Sequence, residues 1–139
     1  MRTAEVLRIF DSIGLDVSDD CVIERGKRRD AAFLHLSVSD RPGRWAVVSS
    51  PGDRWFSLEV DGGFSLDHFE EDTPDADVVR ILRNYVTLGL QYLRELPDAA
   101  SDGLLGASVI RISAGDGEAV LRRSVAGNLK SLIGFGRRR

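Results

Sequence analysis

The chain has 139 residues, of which 42% are hydrophobic, and it is therefore long enough for one domain with a sizeable core. Charged residues make up 29% of the chain and give a formal net charge of −3, a composition that excludes a disordered chain and a collagen-like fibre. The single cysteine, Cys21, excludes an internal disulfide and a four-cysteine zinc site. No apolar run approaches the roughly 18 residues of a membrane span, and acidic residues interrupt any N-terminal signal core, so we expect a soluble cytoplasmic protein.

The first half of the chain is predicted to be a helix followed by a β-meander. Apolar residues recur at helical spacing over residues 3–14. Four short segments with strand-like patterns come next, and they are 21–25, 31–39, 44–50 and 54–61. The short turns between them favour antiparallel pairing. Residues 64–72 are then predicted to be an acidic, aromatic linker whose Phe64, Leu66 and Phe69 point inward.

A long helix over residues 74–95 is predicted to be the central packing element. Its apolar stripe recurs every three or four residues. Thr73 suits its N-cap, and Pro97 ends it. Gly89 in mid-helix costs about 1 kcal/mol relative to alanine, which indicates a close approach between the helix and the sheet.

The remainder of the chain is predicted to complete a single domain. A strand is expected over residues 107–113 and a final helix over 118–133, followed by residues 134–139 as a disordered basic tail. No repeat or domain boundary interrupts residues 1–139. The predicted fold class is α+β, with an antiparallel β-meander packed against the long central helix and the C-terminal helix.

The charge is distributed unevenly along the chain. Residues 53–77 contain nine acidic residues and one basic residue, a net charge of −8, whereas residues 78–139 carry a net charge of +5. Asymmetry of this kind bears on partners and association rates rather than on fold. Direct nucleic-acid binding is not expected, because the chain is net acidic and no aromatic residues interleave with its basic runs.

Motifs that would indicate phosphate binding, metal binding or catalysis are incomplete, because residues that they require are missing. The turn at 115–117 lacks the third glycine of a phosphate loop, and residues 61–72 have Leu66 where an EF-hand requires glycine. His68 beside Asp67 has the composition of an acid–base pair, but an exposed loop histidine is favoured. We therefore expect no catalytic residues, no cofactor and no metal. A small enzyme that uses His68 and the neighbouring carboxylates is kept as a third hypothesis.

One face of the predicted meander combines aromatic and acidic side chains. Strand alternation places Phe33, His35 and Trp55 away from the core face, together with two carboxylates of the strand at 54–61. Aromatic anchors beside acids are typical of protein-binding surfaces, whereas a covering helix and a solvated acidic edge are the structural alternatives. The predicted partner-binding residues are Trp55, Glu59, Asp61, Asp67, Glu70, Glu71 and Asp72.

Part of the chain resembles a known family. Residues 54–69 read Arg-Trp-Phe-Ser-Leu-Glu-Val-Asp-Gly-Gly-Phe-Ser-Leu-Asp-His-Phe, and a tyrosine-bearing helix follows. Residues 54–93 as a whole resemble the immunity protein 61 family of bacterial polymorphic-toxin systems, of the kind found in actinobacteria. The resemblance implies a non-enzymatic protein that neutralises a co-encoded toxin by binding its catalytic domain. It implies no residue roles, because binding residues are not shared across such families.

The order of the predicted elements also resembles the secretion-chaperone-like α+β fold, which is an analogy of architecture alone. A dimeric chaperone that binds a client segment is therefore the alternative to an immunity protein. Both hypotheses predict a protein partner, no nucleic acid and no membrane. The sequence leaves the oligomeric state open.

Overall fold

A computed structural model describes residues 2–14, 20–101, 108–114 and 117–123 of the chain. Within these residues the chain forms two helices and eight strands. The helices are α1 (Thr3–Gly14) and α2 (Asp75–Glu95). The strands are β1 (Cys21–Arg28), β2 (Ala31–Val38), β3 (Trp45–Ser50), β4 (Arg54–Val60), β5 (Phe64–Glu70), β6 (Ala100–Ser101), β7 (Ser108–Ala114) and β8 (Gly117–Arg122).

The described strands form one sheet in the order β1-β2-β3-β4-β5-β8-β7-β6, and their pairings are antiparallel. Strands β1 to β5 follow chain order because each is joined to the next by a short turn. In the β4–β5 turn, Gly62 and Gly63 have φ angles of 90° and 86°, which glycine adopts without a steric penalty. The predicted antiparallel meander is confirmed. The last three strands return to the same sheet after α2.

Both helices pack on one face of this sheet, which we call the inner face. Alternate residues of β2 and β4 point towards it, and these side chains are at most 1% exposed: Leu34, Leu36, Phe56, Leu58 and Val60. Burying each large apolar side chain stabilises the fold by about 1.5–3 kcal/mol. The hydrophobic core therefore lies between the sheet and the two helices, as the sequence pattern predicts.

Gly89 lets α2 lie close to the centre of the sheet. A Cβ atom at this position would lie 3.2 Å from Ala46 Cβ and 3.4 Å from Leu36 Cδ1. Contacts this short force neighbouring atoms to move, so a larger side chain would push the helix away from the strands. The predicted close approach at Gly89 is confirmed.

The two ends of α2 are held in different ways. The predicted N-cap, Thr73, is wrong: Pro74 occupies the cap position, and Thr73 Oγ1 instead donates a 2.9 Å hydrogen bond to the carbonyl oxygen of Glu70. At the C-terminal end, Arg41 Nη1 donates a 2.9 Å hydrogen bond to the carbonyl oxygen of Leu93. Since the last carbonyls of a helix lack partners within it and carry partial negative charge, this guanidinium ties the helix end to the β2–β3 turn.

The linker predicted over residues 64–72 is wrong for most of its length, because residues Phe64–Glu70 form β5. Phe64 is buried, and Leu66 packs partly buried against the core, as predicted. Phe69 instead lies on the opposite face of the sheet and is 75% exposed. Residues five apart in a strand face opposite sides, so Phe64 and Phe69 cannot both point inward.

The final helix predicted over residues 118–133 is wrong at its start, because Gly117–Arg122 forms β8. Leu121 faces the core from this strand, and the same residue fits an apolar stripe of helical spacing, so periodicity alone did not separate the two structures. The strand predicted over 107–113 is confirmed as β7. Residues 124–139, which hold the rest of the predicted helix and the basic tail, lie outside the described residues.

The α+β class and the long helix are confirmed. Cys21 is partly buried at the start of β1 and packs against the core. In the described part of the chain, neither helix is long and apolar enough to cross a membrane.

Candidate functional site

The candidate site lies where β4 and β5 pair in the middle of the strand order, near the start of β4 and the end of β5. The face opposite the helices, which we call the outer face, carries the cross-strand pairs Trp55–Phe69, Ser57–Asp67 and Glu59–Ser65. Register therefore brings an aromatic pair and two acidic side chains onto one face, and the two members of each cross-strand pair are 6 to 14 residues apart in the sequence.

Phe69 is the most exposed large hydrophobic residue among those described. Its side chain is 75% exposed, and it stands directly opposite Trp55, which is half-buried. Side chains directly opposite in an antiparallel pair lie about 4.5–5.5 Å apart at Cβ, so the two aromatic residues are neighbours on the outer face. Phe69 presents apolar surface to solvent near the end of β5.

Exposed carboxylates flank Phe69 along the chain, with Asp67 on the same face of the sheet and Glu70 on the opposite face. Glu70, Glu71 and Asp72 follow Phe69 directly, and Asp67 precedes it on the same face. His68 Nε2 lies 3.5 Å from one oxygen of Glu70. We call the set Trp55, Asp67, Phe69, Glu70, Glu71 and Asp72 the acidic aromatic patch.

The turn that carries these carboxylates has a defined backbone. Asp72 has a φ angle of 53°, in the left-handed region that aspartate enters more readily than most residues. The Thr73 hydroxyl bonds to the carbonyl oxygen of Glu70 within the same turn. The acidic residues are therefore held between the end of β5 and the start of α2.

Two of the predicted partner-binding carboxylates occupy other environments. Asp61 accepts hydrogen bonds from the Trp45 amide at 2.9 Å and from Arg44 Nη1 at 3.1 Å. Glu59, only 6% exposed, lies in the sheet between Val47 and Ser65. The structure therefore separates these two residues from the exposed members of the predicted set.

Asp61 belongs to a network that joins β3, β4 and α2. Arg44 Nη1 contacts its carboxylate and also lies 3.4 Å from the Tyr92 hydroxyl on α2, to which it donates. Burial of Tyr92, together with the nearby Asp61 carboxylate, raises the pKa of this tyrosine to about 12. The Tyr92 hydroxyl is therefore protonated at neutral pH, and the network of Asp61, Arg44 and Tyr92 stabilises the contact between the strands and α2.

We expect Asp61→Asn to lower the free energy of unfolding by about 1.5 kcal/mol, because it removes the charge from a hydrogen bond to a guanidinium. Urea denaturation of the variant beside the wild type measures this change. Glu71→Gln, at an exposed carboxylate of the patch, is the matched control and should change stability by less than about 0.5 kcal/mol. Unchanged stability with weakened partner binding would instead give Asp61 the partner-facing role that the sequence predicts.

Other aromatic residues of the outer face make contacts within the protein. The rings of His35 and Trp45 stack with their centroids 6.1 Å apart. The Phe33 ring lies over Gly26, where a Cβ would come within 2.8 Å of it, and the guanidinium carbon of Arg28 lies 5.7 Å from its centroid. The predicted exposed face is therefore partly closed at Phe33 and His35, while the Phe69 end remains accessible.

Sequence reasoning missed Phe69 as a surface residue, although the signal was present. Residues 64–70 alternate, with Phe64, Leu66 and His68 on one side and Ser65, Asp67 and Phe69 on the other. A linker has no regular faces, so the linker prediction for this segment made no use of the alternation. Recognised as a strand, it would have placed Phe69 beside Trp55 and away from the core.

A separate cleft of about 170 Å³ lies near the C-terminal end of α2 and is lined in part by Cys21, Arg41 and Leu93. Burial raises the pKa of the Cys21 thiol, which keeps it protonated and weakly nucleophilic at neutral pH. Among the described residues, no cluster of three histidine, cysteine or acidic side chains is arranged to hold a metal ion.

Comparison with known proteins gives no match: no family model, no curated protein and no solved structure matches this chain. The function must therefore be inferred from the residues and their geometry.

Proposed function

We propose that the protein is a non-enzymatic binding protein that engages another protein through the acidic aromatic patch. We further propose that it is an immunity protein whose partner is the catalytic domain of a bacterial toxin, which it neutralises by covering the catalytic site. The observation that carries the proposal is Phe69, a large apolar side chain that is 75% exposed and borders a run of carboxylates.

An exposed phenylalanine supports binding because of what its burial would contribute. Transferring such a side chain from water to an apolar pocket contributes about 1.5–3 kcal/mol. Binding energy in protein interfaces concentrates in a few such anchors, and rim residues add less. Phe69 has the chemistry of an anchor, and Trp55 beside it extends the apolar surface.

The carboxylates support a partner with a basic surface. Residues 53–77 carry a net charge of −8, and Glu70, Glu71 and Asp72 are exposed at the end of this segment. Opposite charges on two proteins steer their encounter and raise the association rate, particularly at low ionic strength. A basic catalytic cleft has the complementary charge.

The toxin as the class of partner is supported by the resemblance of residues 54–93 to the immunity protein 61 family. Occlusion of a catalytic domain requires no chemistry from this chain, and the half-buried, protonated Cys21 thiol lies away from the patch. Such a protein would act stoichiometrically, with one molecule inhibiting one toxin domain.

Reversing the charge at two patch residues tests the electrostatic part. We expect Glu70→Lys combined with Glu71→Lys to slow association with the proposed co-encoded toxin domain by about tenfold at low salt, because steering is lost. Surface plasmon resonance at several salt concentrations measures the association rate. Wild-type association should also slow as salt rises, since ions screen exposed charges.

The matched control reverses two exposed acids elsewhere, Glu24→Lys on β1 and Asp98→Lys after α2, and produces the same net charge. This control should associate much faster than the patch variant. Equal association rates for the two variants would show that net charge, and not the patch, governs encounter. Salt-independent binding by all forms would eliminate electrostatic steering altogether.

A further inference from the structure

The edge of β5 is only partly used in the sheet. Among the described residues, the pairing of β5 with β8 is formed by Ser65 and Arg122. Continued in the same register, it would set Phe69 opposite Glu118, but β5 runs on to Glu70 without described β8 partners for His68, Phe69 and Glu70.

Contacts beside the paired residues stabilise the start of β5 and the end of β8. The Arg123 guanidinium carbon lies 4.6 Å from the centroid of the Phe64 ring, a distance at which the cation and the aromatic face attract each other. The Arg123 amide also donates a 3.2 Å hydrogen bond to the carbonyl oxygen of Ser108. The contact between Arg123 and Phe64 holds the start of β5 against the end of β8, and the hydrogen bond holds β8 to β7. The end of β5 lies beyond both contacts.

Where the described residues supply no paired strand, a strand edge offers main-chain N–H and C=O groups to an extended segment that can lie beside it. At the end of β5 this edge coincides with the exposed Phe69 ring and with Glu70, Glu71 and Asp72. Main-chain hydrogen bonds then supply affinity, and alternate side chains supply specificity.

We propose, on the basis of the function proposed above, that the partner adds an extended segment to β5 along His68–Glu70. The segment carries apolar and basic side chains. An apolar side chain packs on Phe69, and lysine or arginine side chains meet the carboxylates of Glu70 and Glu71. The partner is thus recognised by strand addition as well as by surface contact.

Charge favours a foreign partner over a second copy of this chain at the same edge. Two copies paired through β5 would bring Glu70 and the adjacent Glu71 and Asp72 of each copy close to those of the other. Like charges facing each other across paired strands are destabilising. A basic segment reverses the sign of this interaction.

Amide hydrogen exchange on the full chain, alone and in complex with the proposed co-encoded toxin domain, tests the proposal. We expect at least one of the His68, Phe69 and Glu70 amides to exchange at least tenfold more slowly in the complex, with NMR contacts between β5 and backbone protons of the partner. Amides in β1, which is separated from β5 by three strands, serve as the control and should be unaffected.

The outcomes separate the two proposals. Binding that depends on Phe69 without amide protection or cross-strand contacts overturns strand addition and leaves the patch as a side-chain surface. Binding that does not depend on Phe69, or no binding at all, overturns the proposed function itself. Protection that grows with the concentration of this protein alone, in the absence of the toxin domain, identifies a second copy as the occupant and also overturns the proposal.

Discussion

The Phe69→Ala variant is expected to bind the proposed toxin partner about 30-fold more weakly than the wild type, corresponding to a loss of about 2 kcal/mol of binding free energy. Phe69 is 75% exposed in the free protein, and its burial by a partner would supply much of the apolar area at the centre of the interface. Most of the change should appear in the dissociation rate, because removing an apolar anchor does not alter electrostatic steering. Isothermal titration calorimetry and dissociation kinetics measure the two quantities.

The chain offers a matched control for this substitution. Val22 on β1 is also exposed and apolar, at 46%, but β1 is separated from β5 by three strands. We expect Val22→Ala to bind as tightly as the wild type. Both variants should unfold within about 0.5 kcal/mol of the wild type, since neither side chain belongs to the core. Equal binding by Phe69→Ala and Val22→Ala would remove Phe69 from the interface.

Gly89→Val is expected to lower the free energy of unfolding by about 3 kcal/mol, the largest stability effect that we predict for a single change. The added Cβ would lie 3.2 Å from Ala46 Cβ and 3.4 Å from Leu36 Cδ1, and valine places two further methyl groups in the same space. The β-branched side chain cannot rotate away within a helix, so the helix or the strands must move. Urea denaturation measures the effect.

Two further variants separate crowding from helix propensity. Gly89→Ala gains up to about 1 kcal/mol of helix propensity but meets the same 3.2 Å contact, so we expect its stability to lie close to that of the wild type. Combining Gly89→Val with Ala46→Gly removes the nearest atom and should recover part of the loss. If the effects of the two substitutions on stability are simply additive in the double variant, contact with Ala46 is not the cause of the stability loss in Gly89→Val.

Much of the fold could be predicted because local patterns and tertiary burial agree in it. The alternation in β2 and β4 placed Leu36 and Leu58 on the correct face, and the apolar stripe of α2 gave its length. The interruption at Gly89 gave even the place where helix and sheet meet. In these segments the apolar residues recur in the sequence with the same spacing as the buried positions of the strand or helix.

The candidate site was less predictable, because its residues differ in tertiary surroundings and not in type. In the sequence, Glu59 and Asp61 are acidic residues of the same kind as Glu70 and Glu71. In the structure, Glu59 is buried in the sheet and Asp61 bonds to Arg44, whereas Glu70 and Glu71 are exposed. Burial of a carboxylate depends on cross-strand neighbours, which a single sequence does not specify. The antiparallel register decides which acids can reach a partner.

The position of α2 in the chain has a consequence for how the protein is made. Strands β1 to β5 form a complete meander by Glu70, and α1 packs against β1 and β2, but α2 follows only at residues Asp75–Glu95. During synthesis from the N-terminus, Phe56 and Leu58 therefore emerge from the ribosome before the helix that covers them. Exposed apolar sheet surface of this kind makes partly folded chains prone to aggregation. Rapid translation through α2 would shorten that interval, and a chain released before Glu95 would carry an uncovered apolar face.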